Sequence, residues 1–563
     1  MKGIVTRFLN VVEWLGNKLP DPSMLFVAGA LLVLVLSQAV AMSGWEVVPK
    51  RLAIKTQPVL DPSGQPVLDP QTGQPRVEPV LRPDGKPEME LVHNTAVNHG
   101  APLRARGLLV ADEIYWCVKS LVRNFINFPP LGVVLVGMLG IGVAERTGFF
   151  AALLKAIMIV VPKQLLTPTV IFLGINSSLA TDAGYIILPP LAAALYRAAG
   201  RSPLAGIAAC FAGVAAGFNA NLLPTSLDPL LAGLTTQGAQ VIEPSLSINP
   251  TCNWWFMIAS TFFLTIVGWA VTAWFVEPRF AVKPPDDGGP SPISQAELDS
   301  QRLTVLEFRA LGISFLMVLL AAGVIAACVF LPGWPLKGPG IKADGDAFDR
   351  WAMAIVPMIF FVFLAAGIGF GVVSRSIRST RDVARLMTES MAAMAPILVL
   401  SFFAAQFIAW FGRSNLDKML AYTGGEFLAS VSLGPELMIL AFILVAMVFN
   451  LLIASMSAKY SLFAPIFIPM LMLVGISPAL TQCAYRIGDS VTNIITPMNA
   501  YLVIILVFMQ RFAPKAGIGT IVSMMLPYTF AFTLAWAVLI VLWMKLGASL
   551  GPGGGLWYTP THP

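Results

Sequence analysis

The chain has 563 residues, of which 56% are hydrophobic and only 12% charged, with a mean hydropathy of +0.76 and a net charge of +6. Soluble domains carry about 25% charged residues, so this composition excludes a soluble globular fold and predicts a polytopic membrane protein. The basic excess sits in short loops and never interleaves with aromatics in a polar run, which excludes a nucleic-acid binder.

The N-terminal stretch "MKGIVTRFLNVVEWLGNKLPDPSM" is amphipathic, contains Glu13 and lacks a small-residue cleavage site, so no cleaved signal peptide is predicted. About 20 apolar residues cross a bilayer as a helix. A first span at 24–43 completes an N-terminal segment, 1–43. Residues 44–127 then form a polar excursion containing the near-repeat "PVLDPSGQPVLDPQTGQP" (58–75). Pro and Gly at that density predict an extended excursion, with disorder as an alternative. Further spans are expected at 128–145, 254–276, 306–332, 352–373, 388–412 and 518–546. Segments 204–235 and 479–510 are long enough to span but are broken in the middle, which makes nine crossings.

Two apolar regions do not fit as simple spans. The centre of 165–199 reads "NSSLATD" (176–182). Its arms, of about 11 and 14 residues, reach only about 16–21 Å at a helical rise of ~1.5 Å per residue, against a hydrocarbon core of ~30 Å. A re-entrant hairpin resolves this if protein surrounds its polar tip. Region 437–474, centred on "SMSAKYS" (455–461), invites the same reading. Each hairpin follows a stretch expected to lie along the interface, 146–161 and 413–431, with a tenth span as the alternative for the first.

The two halves also match in sequence. At an offset of 275 residues, Ala183, Tyr185 and Pro190 meet Ala458, Tyr460 and Pro465, and "GRSP" (200–203) meets "GISP" (475–478). Five crossings separate the hairpins, so the copies face opposite sides. The expected fold is therefore all-α and polytopic, with about nine transmembrane helices and two opposed re-entrant hairpins in an inverted repeat. The first repeat is 128–276 and the second 387–546, joined through 277–386 and followed by a tail, 547–563. Secondary transporters are built this way, with the site near the midplane between the repeats. The basic loops 374–385, 510–515 and 277–305 place the N-terminus in the cytoplasm and 44–127 outside.

Charges inside the membrane are functional candidates. Here they are Asp182, Asp228, Lys459, Arg486 and Asp489. Asp182 and Lys459 sit at the hairpin tips. Arg486 and Asp489 lie three residues apart, close enough to pair on a helix. Asp228, just before Pro229, is expected near the membrane edge. Asp182 and Asp489 are candidates for proton coupling; the competing reading fixes them in salt bridges with Lys459 and Arg486. The broken spans "GFNANLLPTSLDP" (217–229) and "GDSVTNIITPMN" (488–499) supply Asn219, Asn221, Thr225, Thr492, Asn493 and Thr496. Such oxygens suit a cation such as sodium, and half-helix N-termini suit a carboxylate. The five cysteines (Cys117, Cys210, Cys252, Cys328, Cys483) contain no C-x-x-C pair and predict neither disulfides nor a zinc site. The three histidines, His93, His99 and His562, lie in polar segments.

An enzyme is the rival class. "IGDS" (487–490) partly matches the Gly-x-Gly-Asp of intramembrane aspartyl proteases, with Asp182 as partner. Arg486 stands where the first Gly is required, and Asp182 follows Thr181 rather than Tyr, so no enzymatic activity is expected. A channel would need a charged ring or filter sequence, and none is visible.

The segments "INSSLATDAGYIILPPLAAALYR" (175–197), "AGFNANLLPTSLDPLLAG" (216–233), "SAKYSLFAPIFIPM" (457–470) and "YRIGDSVTNIITPMNAY" (485–501) resemble the p-aminobenzoyl-glutamate transporter (AbgT) family. The resemblance runs from about 128 to 546, plus the first span. It implies a homodimer of nine-span subunits in the inner membrane with an elevator-like motion. The implied activity is secondary transport of p-aminobenzoyl-glutamate or related small aromatic anions, or proton-driven export of sulfonamide-type antimetabolites. No cofactor is implied; the drive is a proton gradient, with sodium as the alternative. The resemblance places the functional aspartate of the first hairpin on Asp182. It implies roles for Ser457, Tyr460, Pro478, Arg486 and Asp489 in the second repeat. Asn176 and Asn493 join Ser457, Tyr460, Pro478 and Arg486 as expected substrate contacts. The family often has Trp where this chain has Tyr460, and its 44–127 insertion is longer than usual.

Overall fold

The computed structural model describes residues 22–560 apart from 60, 62–64, 69–74, 82–87, 96, 161, 181–182, 226, 293–302, 342–346, 432, 454, 497–498 and 500. The amphipathic N-terminal stretch and Asp182 lie outside the described residues. The chain is a bundle of helices: α1 (Pro22–Ser43), α2 (Ala111–Lys119), α3 (Leu121–Ile126), α4 (Pro129–Arg146) and α5 (Phe149–Val160) lead into the first repeat proper. That repeat continues with α6 (Leu166–Asn176), α7 (Ala183–Ala198), α8 (Pro203–Phe211), α9 (Leu227–Ala239) and α10 (Trp254–Val271). The linking helices are α11 (Val305–Phe330), α12 (Ile355–Ser374) and α13 (Thr380–Ala393). The second repeat holds α14 (Ala395–Arg413), α15 (Leu416–Ser430), α16 (Pro435–Leu452), α17 (Met456–Met472), α18 (Pro478–Val491), α19 (Tyr501–Gln510) and α20 (Ile518–Leu546).

The inverted repeat has a local cause in the matched "GRSP" and "GISP". Gly200 and Gly475 adopt positive φ, 74° and 84°, at the ends of α7 and α17. Arg201 N–H and Ile476 N–H then reach back five residues to the carbonyls of Tyr196 and Leu471, a Schellman-type stop that favours glycine. Ser202 and Ser477 cap the next helices, accepting from Ala205 N–H and Leu480 N–H, with Pro203 and Pro478 at the first helical position. Both hairpins thus turn into their broken spans by the same device.

Each broken span packs tightly on its own hairpin. A Cβ on Gly213 would stand 2.5 Å from the Ile171 carbonyl oxygen, and one on Gly488 2.6 Å from that of Ile443. In a membrane, close backbone approach through small residues supplies much of the association energy. Gly488→Ala is expected to lower stability by about 1–3 kcal/mol through overpacking. Gly519→Ala, where the added Cβ meets nothing within 4 Å, should leave it unchanged. Thermal unfolding in mild detergent compares the two.

Contacts at the two ends of the bundle fall into two groups. At one end Arg413 pairs with Glu113 at 2.8 Å, Tyr558 donates to Glu243 at 2.7 Å, and Lys50 pairs with Glu426. At the other, Arg146 pairs with Glu389 at 3.3 Å, Lys155 with Glu307 at 3.7 Å, and Arg201 with Glu277. No segment expected on one side meets one expected on the other in these pairs.

Three expectations need correction. The described residues of 44–127 are more than an extended excursion. They form a nested antiparallel ribbon: β1 (Glu46–Val47), β2 (Lys50–Ile54), β3 (Thr56–Pro58), β4 (Val77–Pro79), β5 (Met89–His93) and β6 (Leu103–Arg104), paired β1–β6, β2–β5 and β3–β4. Alternation in "KRLAI" and "MELVH" sets the register Lys50↔His93 to Ile54↔Met89 and leaves Leu52 buried. Second, the expected span 388–412 divides: Ser379 and Asp382 form a capping box that starts the amphipathic α13, and α14 begins afresh at Ala395 before Pro396. Third, α16 has 18 residues and is long and apolar enough to cross a membrane by itself, unlike α6 with 11. The apolar run from Leu437 is interrupted only by Asn450, so helix propagates to Leu452 before the tip. The 63° bend between Leu135–Arg146 and Phe149–Ile157 agrees with a stretch that leaves the span direction.

Candidate functional site

The site is built on α18, all 14 of whose residues are buried. Its second half brings Arg486 and Asp489 to the break that follows at Thr492. These two do not pair with each other. Arg486 Nη2 meets Asp228 Oδ1 at 2.5 Å, and Asp489 Oδ1 meets Lys459 Nζ at 2.7 Å. All four side chains are at most 4% exposed. Ions this deep must be paired and hydrogen-bonded to be tolerated, and each of the four has an opposite charge beside it.

Asp489 Oδ1 also lies 3.4 Å from the Tyr485 hydroxyl, while Oδ2 accepts from Asn219 Nδ2 at 3.3 Å. Asn219 donates further to Ser490 Oγ at 2.7 Å and the Arg486 carbonyl at 3.1 Å. The break of the first repeat is thereby tied to that of the second. Asn493 returns the contact, donating to the Ala215 carbonyl at 3.3 Å. Lys459 also donates to Asn450 Oδ1 and to the Ile453 carbonyl at 3.3 Å. Asn450 Nδ2 faces the Asp489 carbonyl at 2.5 Å, Thr492 Oγ1 at 2.8 Å and Asn493 Oδ1 at 2.9 Å. The tip of the second hairpin therefore ends at the depth of the breaks.

Asp228 is not at a membrane edge. It lies in the first turn of α9, and its Oδ2 accepts from Thr225 N–H at 2.5 Å and Thr225 Oγ1 at 2.9 Å. Pro229 is compatible with that first turn, where the N–H has no helical partner. The proline thus marks a helix starting inside the protein. Asn450 was also missed in the sequence; its only signal is a lone amide in the run "LAFILVAMVFNLL".

The first hairpin's tip is held by Asn176, whose Oδ1 accepts from Leu222 N–H at 3.1 Å, and by Ser178 with Asn221 at 2.5 Å. Tyr460 is buried, its hydroxyl 2.7 Å from Thr235 Oγ1 and its ring 4.4 Å from that of Tyr485. Its repeat-related partner Tyr185 stacks on Tyr501 at 4.0 Å. Each tyrosine thus reaches the second half-helix of the other repeat. Ser457 is half-buried beside Ser455, 3.4 Å away, at the tip of the second hairpin. Pro478 is not brought to the cluster: it opens α18, about 16 Å of helix away from Asp489.

The six side chains expected to suit sodium do not act as one set, and Thr496 Oγ1 donates to the Thr492 carbonyl at 2.7 Å. Asn219, Thr492 and Asn493 join the Asp489–Asn450 network, whereas Asn221 bonds Ser178 and Thr225 bonds Asp228. Among the described residues no cluster of three His, Cys, Asp or Glu side chains forms a metal site. Next to the first hairpin lies an apolar cavity of ≈ 800 Å³, lined by Phe149, Phe172, Leu222, Phe315 and Phe363, with Asn176 at its edge. The charged cluster itself is closed to solvent, so access requires the hairpins or broken helices to move.

A model of the AbgT putative transporter family matches residues 7–69 and 83–558. A p-aminobenzoyl-glutamate transport protein of Escherichia coli (strain K12) is 34% identical over 457 residues, 81% of this chain and 87% of that protein. The solved structure of the Alcanivorax borkumensis YdaH transporter, described as having an unusual topology, superposes with a TM-score of 0.78 at 36% identity. It covers 95% of this chain and 100% of its own. Neisseria gonorrhoeae MtrF, described as illuminating a class of antimetabolite efflux pumps, gives a TM-score of 0.81 at 38% identity, covering 95% and 97%.

Proposed function

The chain belongs to the AbgT transporter family, and from that premise we propose that it carries p-aminobenzoyl-glutamate or a closely related small aromatic anion across the inner membrane. One observation carries this reading: a buried guanidinium, Arg486, stands at the break between two inverted repeats, where a half-helix begins. A cation in low dielectric binds a carboxylate strongly. The tyrosine pair Tyr460–Tyr485 lies close by for an aromatic ring. Ser457, Asn176 and Asn493, at the tips and break, complete the contacts, while the position of Pro478 argues for a hinge role instead.

Two such subunits form a homodimer, with the breaks and hairpins moving as a unit against the remaining helices. The exposed apolar face of α11, with Phe308, Phe315 and Leu319, suits the fixed scaffold. The basic loops face the cytoplasm and the ribbon faces outward. Asp182 and Asp489 are assigned to proton coupling; the Asn219, Thr492 and Asn493 oxygens are the sodium alternative. Export of sulfonamide-type antimetabolites uses the same site, since their sulfonyl oxygens and aromatic amine resemble the benzoyl moiety.

The test is flux of radiolabelled p-aminobenzoyl-glutamate into proteoliposomes under a pH gradient or a sodium gradient imposed separately. Flux that follows the pH gradient alone is expected, and Asp182→Asn or Asp489→Asn should abolish it. Flux that follows sodium alone would replace the proton assignment. Absence of flux under both gradients, from folded protein, would overturn the substrate.

A further inference from the structure

Eight buried side-chain polar atoms lack a hydrogen-bond partner among the described residues, and four of them fall in two touching segments: Thr251 Oγ1, Asn253 Oδ1, Gln482 Nε2 and Arg486 Nε. The segments meet through Cys252 Sγ with Gln482 Oε1 at 2.9 Å and Asn253 Nδ2 with the Ala479 carbonyl at 2.9 Å. Gln482 and Arg486 are four residues apart on α18 and so share a face. That face presents two buried donors without a hydrogen-bond partner, Gln482 Nε2 and the Nε of the Arg486 guanidinium itself, whose one anionic partner among the described residues is Asp228. Buried donors are rarely left unsatisfied without a reason. Two such donors, one of them on the cation, have the capacity to take up a carboxylate.

Asp228 is itself placed like a bound anion. It sits in the first turn of a half-helix, held by Thr225 through one oxygen, and offers only the other to Arg486. We propose that Asp228 is a built-in counter-ion that occupies Arg486 in the empty carrier, that a substrate carboxylate takes its place there, and that Gln482 donates the second hydrogen bond to that carboxylate. This rests on the transport reading above and adds two residues to it. The consequence is a charge rule. With Asp228 in place, the four buried charges of these described residues form two pairs, Arg486–Asp228 and Lys459–Asp489, and sum to zero. An uncompensated buried cation is strongly disfavoured in hydrocarbon, whereas the displaced Asp228 keeps its Thr225 donors at the start of a half-helix, so the empty carrier returns only when Asp228 neutralises Arg486.

Asp228→Asn separates these roles. Exchange of labelled for unlabelled substrate needs no empty return, and net efflux into substrate-free buffer does. In proteoliposomes Asp228→Asn should lose net efflux by about tenfold or more while exchange falls less than about threefold. Asp228→Glu should recover part of the net flux. Binding supplies an independent arm that holds whether or not p-aminobenzoyl-glutamate is the cargo. Measured by calorimetry on purified dimer, 4-aminobenzoate should bind Asp228→Asn about tenfold more tightly than wild type and Gln482→Leu about tenfold more weakly. The neutral 4-aminobenzamide should show neither change.

Exchange and net efflux falling together in a folded Asp228→Asn protein would overturn the counter-ion role, as would unaltered 4-aminobenzoate affinity. Equal losses for the acid and the amide in Gln482→Leu would overturn the second donor. If Asp228→Asn does not fold, Asp228→Asn/Arg486→Gln removes the charges together, and it should bind acid and amide alike. A retained preference for the acid in that protein would place the carboxylate elsewhere. Wild-type protein that carries no p-aminobenzoyl-glutamate, yet shows the 4-aminobenzoate shifts, would sink the named cargo and leave the counter-ion standing.

Discussion

Lys459→Met is expected to destabilise the folded protein by about 3–5 kcal/mol, the cost of stranding a buried carboxylate without its cation. Lys459 is 0% exposed and Asp489 1%, so water cannot replace the lost partner. The substitution also releases Asn450 Oδ1, whose amide holds the break at Thr492 and Asn493. The companion change distinguishes electrostatics from packing. Asp489→Asn alone leaves the ammonium unpaired and should cost a similar amount. Lys459→Met/Asp489→Asn removes both charges and should recover most of the loss, because a buried pair contributes little net stability against an uncharged substitute. Thermal unfolding in detergent of the three proteins reads this as a coupling energy. Equal destabilisation in the double variant and the worse single would show that the pair is held by packing alone. On the coupling role proposed for Asp489, transport should not return with stability.

Arg486→Gln should weaken binding of an anionic substrate by about 2–4 kcal/mol, a factor of roughly thirty to a thousand, as removal of one partner of a buried charge pair does. Binding of a neutral aromatic amide should fall far less. The glutamine keeps a donor and much of the volume, so the contact to Met257 Sδ, 3.4 Å from Nη1, is lost without a large cavity. Competition of 4-aminobenzoate and 4-aminobenzamide against labelled substrate checks it. A loss of equal size for both would mean that Arg486 supports the fold and does not meet the carboxylate.

Where the sequence was readable, the signals were local. Gly200 and Gly475, Ser202 and Ser477, and Pro203 and Pro478 each act within one turn of their own position, so the repeated motif announced the repeated architecture. Hairpin tips and breaks were visible for the same reason: polar residues and prolines interrupt apolar runs. The partners of the charges were not readable. Arg486 and Asp489 are close in sequence, yet each pairs with a residue from another element, Asp228 on α9 and Lys459 on α17. Spacing along one helix says nothing about which neighbours pack around a helix buried on all sides. The proline after Asp228 suggested a membrane edge because proline ends spans as well as starting half-helices. The ribbon at 44–127 failed for a further reason: its strands pair across an intervening Pro/Gly-rich stretch, and composition dominated the local alternation.

The charged residues are also unevenly shared between the repeats. At the offset of 275, Lys459, Arg486 and Asp489 correspond to Gly184, Phe211 and Val214. The backbone is symmetric and the electrostatics are not. A two-sided scaffold therefore carries a site whose charge comes mostly from the second repeat, with Asp228 supplied by the first. The symmetric frame allows the breaks to face either side in turn, and the asymmetric charge fixes what is carried.

Counterflow tests that account most directly. Proteoliposomes holding purified wild-type protein are loaded with unlabelled p-aminobenzoyl-glutamate and diluted into a trace of labelled substrate, with no ion gradient. A carrier with one site between inverted repeats should accumulate label transiently above its equilibrium level and then release it. Label that rises only to equilibrium, or does not enter at all, from protein shown to be folded, would contradict an alternating site for this anion.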